Sequence, residues 1–419
     1  MRVNVKALRW IAVLFVVLFF STNSFATNGI KLIGVGPTQR AMGGVSVALP
    51  LDTATIITNP AGISEVGGRV DLGLMLVVLD AQYSAKSKAG LVDVNDEVLT
   101  SDTPPFLLPS FGLTLPITQD FTVGLGLYPI SGIGVDYEQN LYNNVTYVKY
   151  AFYKVAPVFS YNYKDIVIIG AGPNFDFASL GYEAATTNEE PHHDTVSYGI
   201  GFTVGLLFKP LSLLKTELPN DLVTLGLTYE SKQWFMDFTY NTRDGQDKLE
   251  FNFPASISWG IGLKPTDRFR CGFDMSWINW SDTQGKMKPS YNKNSSNAAL
   301  WNASWKDQVV YKVGAEYDVL KDKFIKKLTL RAGYNYGKHP LRSIRPFEDV
   351  ALPAITEHHI TCGLGADITE NIGLNVGFVY MPKMTLIGAN NAAAEGVYLD
   401  YINTKAGAWT LDLGLTYKF

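Results

Sequence analysis

From about Gly68 onward, apolar side chains recur at every second position, the period of a strand with one apolar face. The final segment shows it most cleanly. Trp409, Leu411, Leu413, Leu415, Tyr417 and Phe419 fall on one face, and Thr410, Asp412, Gly414, Thr416 and Lys418 on the other. The pattern predicts fourteen strands with approximate cores at 69–83, 107–117, 121–131, 149–162, 166–182, 195–208, 222–236, 248–263, 268–280, 308–319, 327–337, 357–368, 371–381 and 409–419. The connections alternate between tight turns, such as Thr118-Gln119-Asp120 and Pro265-Thr266-Asp267, and long polar stretches at 84–106, 132–148, 282–307 and 382–408.

That alternation of short and long connections, with an even strand number, is the rhythm of an outer-membrane barrel. A strand of about 11 residues, rising about 3.3 Å per residue and tilted about 40°, covers the apolar band of about 25 Å. A soluble sandwich shares the period of two but has no reason to finish on Phe419, an outward aromatic two residues after Tyr417. The expected fold is therefore all-β, a 14-stranded antiparallel transmembrane barrel spanning 68–419.

Composition agrees. Aromatic residues make up 13% of the chain and charged residues 18%, with a mean hydropathy of +0.05. That balance suits strands with one face in lipid and one in water. A net charge of −4 gives no reason to expect nucleic acid as a partner. No later run approaches the length of a membrane helix. The start of the chain is a secretory signal: Arg2, Lys6 and Arg9 precede an apolar run from Trp10 to Phe20, and Ser24-Phe25-Ala26 supplies small residues for cleavage. Residues 1–26 are expected to be removed, and the location expected is the bacterial outer membrane. Cys271 and Cys362 both point outward on strands that are not neighbours, so two free thiols are expected.

Fourteen strands enclose a lumen too wide for side chains alone, since about eight strands already suffice for that. Inward glycines such as Gly199, Gly201 and Gly205 leave still more room. Residues 27–67 lie between the signal and the first strand and are rich in small residues and breakers. They are the candidate plug, or hatch. The run Gly34-Val35-Gly36, then Ala41-Met42-Gly43-Gly44, Ala48 and Asp52, then Asn59-Pro60-Ala61-Gly62 resembles the FadL family of outer-membrane long-chain fatty-acid transporters, with its branch that takes up aromatic hydrocarbons.

The resemblance implies a barrel closed by an N-terminal hatch, with Asn59, Pro60, Ala61 and Gly62 moving as ligand is released. It also implies monomers, no cofactor, and a kinked third strand that opens the wall sideways. The matching strand carries Gly126, Tyr128, Pro129 and Gly132, and Pro129 has no N–H to donate to a ladder. The expected ligand is a hydrophobic small molecule, a fatty acid or an aromatic hydrocarbon, delivered to outer-membrane lipid. The expected activity is passive uptake, most readily of long-chain fatty acids, with monoaromatic hydrocarbons as the alternative. A general diffusion porin is a further alternative, disfavoured because an open pore needs no plug. A lipid-modifying barrel enzyme and an adhesive barrel are weaker readings, and no catalytic motif supports an enzyme.

Candidate ligand contacts are Phe106, Leu107 and Leu108, next to Pro104 and Pro105, with Trp301 and Trp305 in a later loop; girdle or loop-packing residues are the equal alternative for all of them. By parity Lys154, Lys312, Arg331, Asp176, Asp274, Glu316, Asp367 and Asp412 point inward. Lys154 and Arg331 are the candidates for a fatty-acid carboxylate, set against the common bracing of barrel interiors by charge ladders. His192-His193 reads as a solvated loop, and His358-His359 straddles a strand, so the two rings cannot share a ligand.

Overall fold

The computed structural model describes residues 28–87, 98–137, 146–184, 194–214, 217–242, 245–286, 303–320, 325–343, 346–388 and 399–419. Fourteen antiparallel strands close into a cylinder. They are β1 Arg69–Ser87, β2 Phe106–Pro116, β3 Phe121–Tyr137, β4 Thr146–Tyr163, β5 Val167–Ala184, β6 Asp194–Phe208, β7 Val223–Glu230, β8 Ser256–Thr266, β9 Phe269–Ile278, β10 Gln308–Leu320, β11 Lys327–Gly337, β12 His358–Asp367, β13 Ile372–Ile387 and β14 Leu399–Lys418. Closure comes from β1 pairing with β14, from Arg69 opposite Lys418 upward. The signal segment and the His192-His193 pair lie outside the described residues, as does Trp301.

The predicted alternation holds in three dimensions. Leu411, Leu413, Leu415 and Tyr417 are exposed on the outside, while Thr410, Asp412 and Thr416 are buried inside. The outward apolar ladder from Phe419 to Trp409 is about 25 Å tall for a tilted strand, the depth of a membrane's apolar band. Both cysteines are free, one half-buried and one exposed.

The structure departs from the sequence pattern in two ways. The strand expected at 222–236 ends at Glu230, and the one expected at 248–263 begins only at Ser256. Between them the chain leaves the wall and forms a small hairpin, Phe238–Thr242 with Gly245–Leu249. Phe251 and Phe253 alternate as in a strand, but both turn inward and are buried. Side chains replace the ladder there: Asn252 Oδ1 accepts from the Phe235 N–H at 2.8 Å, and Pro254 has no N–H to give. The second difference is length. β14 begins at Leu399 and β13 runs to Ile387, so much of 382–408 is strand. Above the apolar band the outward positions become polar, as at Asn403 and Lys405, and the alternation that marks a strand fades.

Residues 28–67 sit inside the cylinder. They contain α1 Gly36–Ala41, α2 Thr55–Thr58, a 3₁₀ turn Pro60–Gly62 and α3 Ile63–Val66. Pro37 stands in the first turn of α1, where a missing N–H costs nothing. At the long-loop end, inward-folded loops cover this segment with an apolar core that includes Tyr150, Phe152, Phe251, Phe253, Trp280 and Trp305.

Candidate functional site

The hatch is seated by hydrogen bonds to inward polar residues, and its backbone rests on inward glycines. Arg40, buried with Asp412 of β14, donates from Nε to Oδ1 at 2.7 Å and from Nη1 to the Gly34 carbonyl at 2.9 Å. The Asp274 carboxylate accepts from the Ser46 and Val47 N–H groups at 2.7 and 3.0 Å. The Gly43 N–H donates to Thr361 Oγ1 at 2.9 Å, and Thr361 in turn donates to the Ala41 carbonyl at 3.0 Å. Gly43 has φ +68°, and a Cβ there would stand 2.7 Å from the Tyr334 backbone nitrogen. Only glycine satisfies both the turn and this close approach.

The Asn-Pro-Ala-Gly element lies deep in the same seat. Asn59 donates from Nδ2 to the carbonyls of Val47 at 2.6 Å and Leu206 at 3.2 Å, and its Oδ1 accepts from the Ala61 N–H at 3.2 Å. Asn59 thus fastens two parts of the hatch to β6. Gly170 and Gly205 face it; a Cβ on Gly170 would meet the backbone of Pro60 and Ala61, and one on Gly205 would meet Asn59.

The wall is interrupted at the third strand. β2 and β3 pair from Pro116 opposite Thr122 to Phe111 opposite Leu127, and among the described residues no rung follows. β2 continues upward along β1 to Phe106, and β3 continues along β4 to Tyr137. A bulge falls between Pro129 and Ser131 of β3, at the residue whose missing N–H the sequence singles out. The split closes again above, where the Asp102 N–H donates to the Asp136 carbonyl at 2.9 Å. Within it the hatch residue Leu32 donates its N–H to the Ile130 carbonyl at 2.9 Å. Phe106 and Leu108 are buried and face Gly134 and Gly132, whose Cβ positions would stand 2.8 and 2.9 Å from the two side chains. Leu107 points the other way, 62% exposed on the outer face.

Between hatch and barrel lies a cavity of about 60 Å³, lined by Lys31, Leu32, Val47, Ile130, Glu230, Ser256, Ile278 and Lys312 among others. Its charges are unevenly matched. Glu230 is bound by both Lys154 and Lys31 and accepts from Ser256 Oγ at 3.1 Å. Arg331 donates to Glu316 at 2.9 Å and to Asn375 at 3.0 Å, and Arg270 shares the same Glu316 at 2.6 Å. Both candidate carboxylate ligands are therefore engaged by internal partners. Lys312, opposite Asp274 across the β9–β10 ladder, lines the cavity with no hydrogen bond to its ammonium among the described residues. Sequence parity placed it inward, but nothing in the sequence tells a braced lysine from an unbraced one. Trp305, a candidate for ligand capture, packs edge-on against Trp280 with centroids 5.1 Å apart.

The fold has counterparts among known proteins. The family model described as "Outer membrane protein transport protein (OMPP1/FadL/TodX)" matches residues 13–419. The chain belongs to the FadL/TodX family. Solved structures similar to it include a Pseudomonas aeruginosa FadL homologue (17% identity, 94% of this chain and 100% of that one, TM-score 0.75). The Pseudomonas putida toluene transporter TodX (20%, 94% and 100%, 0.71) and the Ralstonia pickettii toluene transporter TbuX (17%, 93% and 99%, 0.66) are similar too. No curated protein sequence matches the chain. As a FadL/TodX protein it is an outer-membrane transport channel for hydrophobic molecules and not an enzyme. The short turns then face the periplasm and the long loops the outside.

Proposed function

We propose that this channel takes up long-chain fatty acids, and that they leave sideways through the split between β2 and β3. The observation that carries the substrate is Lys312. An ammonium that lines a cavity of mixed apolar and polar walls, and makes no hydrogen bond among the described residues, suits an amphipathic acid better than a bare hydrocarbon, because a carboxylate would satisfy it with a charge-assisted bond. Lys154 and Arg331 brace the barrel in this reading. The release path is Gly126, Tyr128, Pro129 and Gly132 of β3 facing Phe106 and Leu108 of β2, with Leu107 on the lipid side of the exit. Asn59, Pro60, Ala61 and Gly62 move with the hatch.

The conformation described is a closed one. A cavity of about 60 Å³ is smaller than the roughly 150 Å³ that holds benzene, and ligand pockets run to about 300 Å³ or more. Either class of ligand needs the hatch or the covering loops to shift. One observation favours the alternative, uptake of monoaromatic hydrocarbons. Phe152, Phe235, Phe253, Trp280 and Trp305 form a run of edge-to-face rings above the cavity, with centroids 4.9–5.4 Å apart. The similar solved structures named as toluene transporters point the same way.

Labelled oleate and labelled toluene offered to cells with and without the gene discriminate the two. Fatty-acid transport predicts gene-dependent oleate uptake. It also predicts that Lys312→Met in the purified protein weakens oleate binding by about ten- to a hundredfold, the worth of one bond to a charged group. Gene-dependent uptake of toluene alone, with oleate binding indifferent to Lys312→Met, would reject it.

A further inference from the structure

Tyr128 is the first residue of β3 above the last rung shared with β2, so it stands at the fork where the wall splits. Its ring folds down over Gly126, where a Cβ would be 2.8 Å from the ring, and its hydroxyl lies 2.8 Å from Thr53 Oγ1 of the hatch. Thr53 also touches Asp71 of β1: its hydroxyl donates to Oδ2 at 2.7 Å and its N–H donates to the same oxygen at 2.8 Å. A carboxylate only accepts, and a threonine hydroxyl has one proton. Thr53 therefore gives its proton to Asp71, and the Tyr128 hydroxyl gives its own to Thr53. The chain of donors runs one way, from the wall at the fork, through the hatch, to the base of the barrel.

The Asp71 end of that chain sits on firm ground. Asp71 accepts from Arg69 Nη2 at 2.7 Å and from Thr416 Oγ1 of β14 at 2.6 Å. The bridging position is kept clear by Gly112 of β2, in register with Asp71 on one side and Gly126 on the other. A Cβ on Gly112 would stand 2.2 Å from Thr53 Oγ1 and 2.3 Å from the Tyr128 hydroxyl. The bare strand thus lets a hatch side chain reach across it from β1 to β3. Two residues further along β3, the Ile130 carbonyl takes the Leu32 N–H, so the hatch holds the bulge at a second point.

We propose that Thr53 and Tyr128 form the latch between hatch and wall: withdrawal of the hatch around Thr53 frees Tyr128 and lets the β3 bulge swing away from Phe106 and Leu108. Tyr128 is a positioning residue here, acting on the opening through its bond to the hatch. The inference rests on the sideways-release reading and adds the part that times it. It assigns a separate task to a hydroxyl that a purely structural tyrosine in this place would not need.

The test uses the full-length protein with Cys271→Ala and Cys362→Ala and a reporter thiol at Leu108→Cys, a position buried against Gly132. The rate of modification by N-ethylmaleimide reads how often the split opens. Tyr128→Phe keeps the ring and removes one hydrogen bond, so modification is expected to rise about fivefold. Thr53→Val, which also loses the bond to Asp71, is expected to raise it at least as much, Thr53→Ser to restore the parent rate, and the double variant Tyr128→Phe with Thr53→Val to add nothing to Thr53→Val alone. An unchanged rate in Tyr128→Phe, or effects of the two substitutions that multiply, overturns the latch whatever uptake does. A raised rate with oleate uptake unaltered keeps the latch and removes sideways release instead.

Discussion

The hatch meets the barrel differently on its two sides. Toward β9–β14 it is locked by side chain and backbone together: the Arg40 side chain to Asp412, the Ser46 and Val47 N–H groups to Asp274, and the Ala41 carbonyl and Gly43 N–H to Thr361, with Asn335 Nδ2 donating to the Gly43 carbonyl at 3.2 Å. Toward β1 and β2 it is also fastened, by the Thr53 N–H and hydroxyl to Asp71, by Arg69 Nη1 to the Leu51 carbonyl at 3.2 Å and by Thr114 Oγ1 to the Gly67 carbonyl at 2.6 Å, but among the described residues β3 holds it by two hydrogen bonds alone, Tyr128 to Thr53 and Leu32 N–H to the Ile130 carbonyl. A plug that merely sealed the lumen would be fastened evenly. Fastening thus thins out at β3: the half against β9–β14 is the fixed one, and at the interruption in the wall, among the described residues, only these two bonds join hatch to β3, where the proposed release takes place.

The sharpest way to break that contrast is to unseat the fixed half. The Arg40–Asp412 pair is almost wholly enclosed, with side-chain exposures of 3% and 1%. Arg40→Met leaves a buried carboxylate without its cation and a Gly34 carbonyl without its donor. A loss of about 3–5 kcal/mol of hatch docking is expected. It should be read as protease cleavage within 28–67 and as ion leak in planar bilayers. If cleavage and conductance stayed at their parent values, the fixed half would not be fixed by this pair.

A smaller effect belongs to the other side. Burial, with Asp71 close by, pushes the Asp52 carboxyl up to about 6 from its ordinary 3.8, against the opposing pull of Arg69, Thr38 and the Ala54 N–H. An acid whose folded pKa is raised holds its proton more tightly in the docked state. The contribution of Asp52 to docking is therefore fully present below about pH 4 and is lost as pH rises through about 6. Asp52→Asn should flatten the pH dependence of protease accessibility across that window and make docking at neutral pH the firmer. A profile unchanged by the substitution would assign the pH dependence to other groups.

Much of this molecule was legible beforehand, for physical reasons that differ by region. Strand β14 announces itself because lipid on one side and hatch on the other impose a strict alternation from Trp409 to Phe419. Pro129 marks the place of the bulge because a missing N–H cannot be hidden in a ladder. The loop between β7 and β8 misled because Phe251 and Phe253 alternate like strand residues while serving an inward aromatic core. In the site, parity placed Lys154, Lys312 and Arg331 inside but could not say which was already paired. Lys154 is bound through Glu230, 76 residues away, which also holds Lys31 of the hatch, 199 residues away. Only the closed cylinder brings these together, and Lys312, which faces Asp274 without a hydrogen bond to its ammonium among the described residues, becomes visible only once the others are accounted for.

If substrate leaves through the wall between β2 and β3, closing that split stops transport. Joining Leu108→Cys to Gly132→Cys with a short bifunctional thiol reagent, in a chain whose two native cysteines are alanine, pins the split shut without touching the cavity. Uptake of labelled oleate by cells bearing the joined protein should fall to the level of cells lacking the gene, and return when a cleavable cross-link is reduced. Uptake that continues at the unjoined rate would mean the substrate passes straight down the lumen, and the account would be wrong at its root.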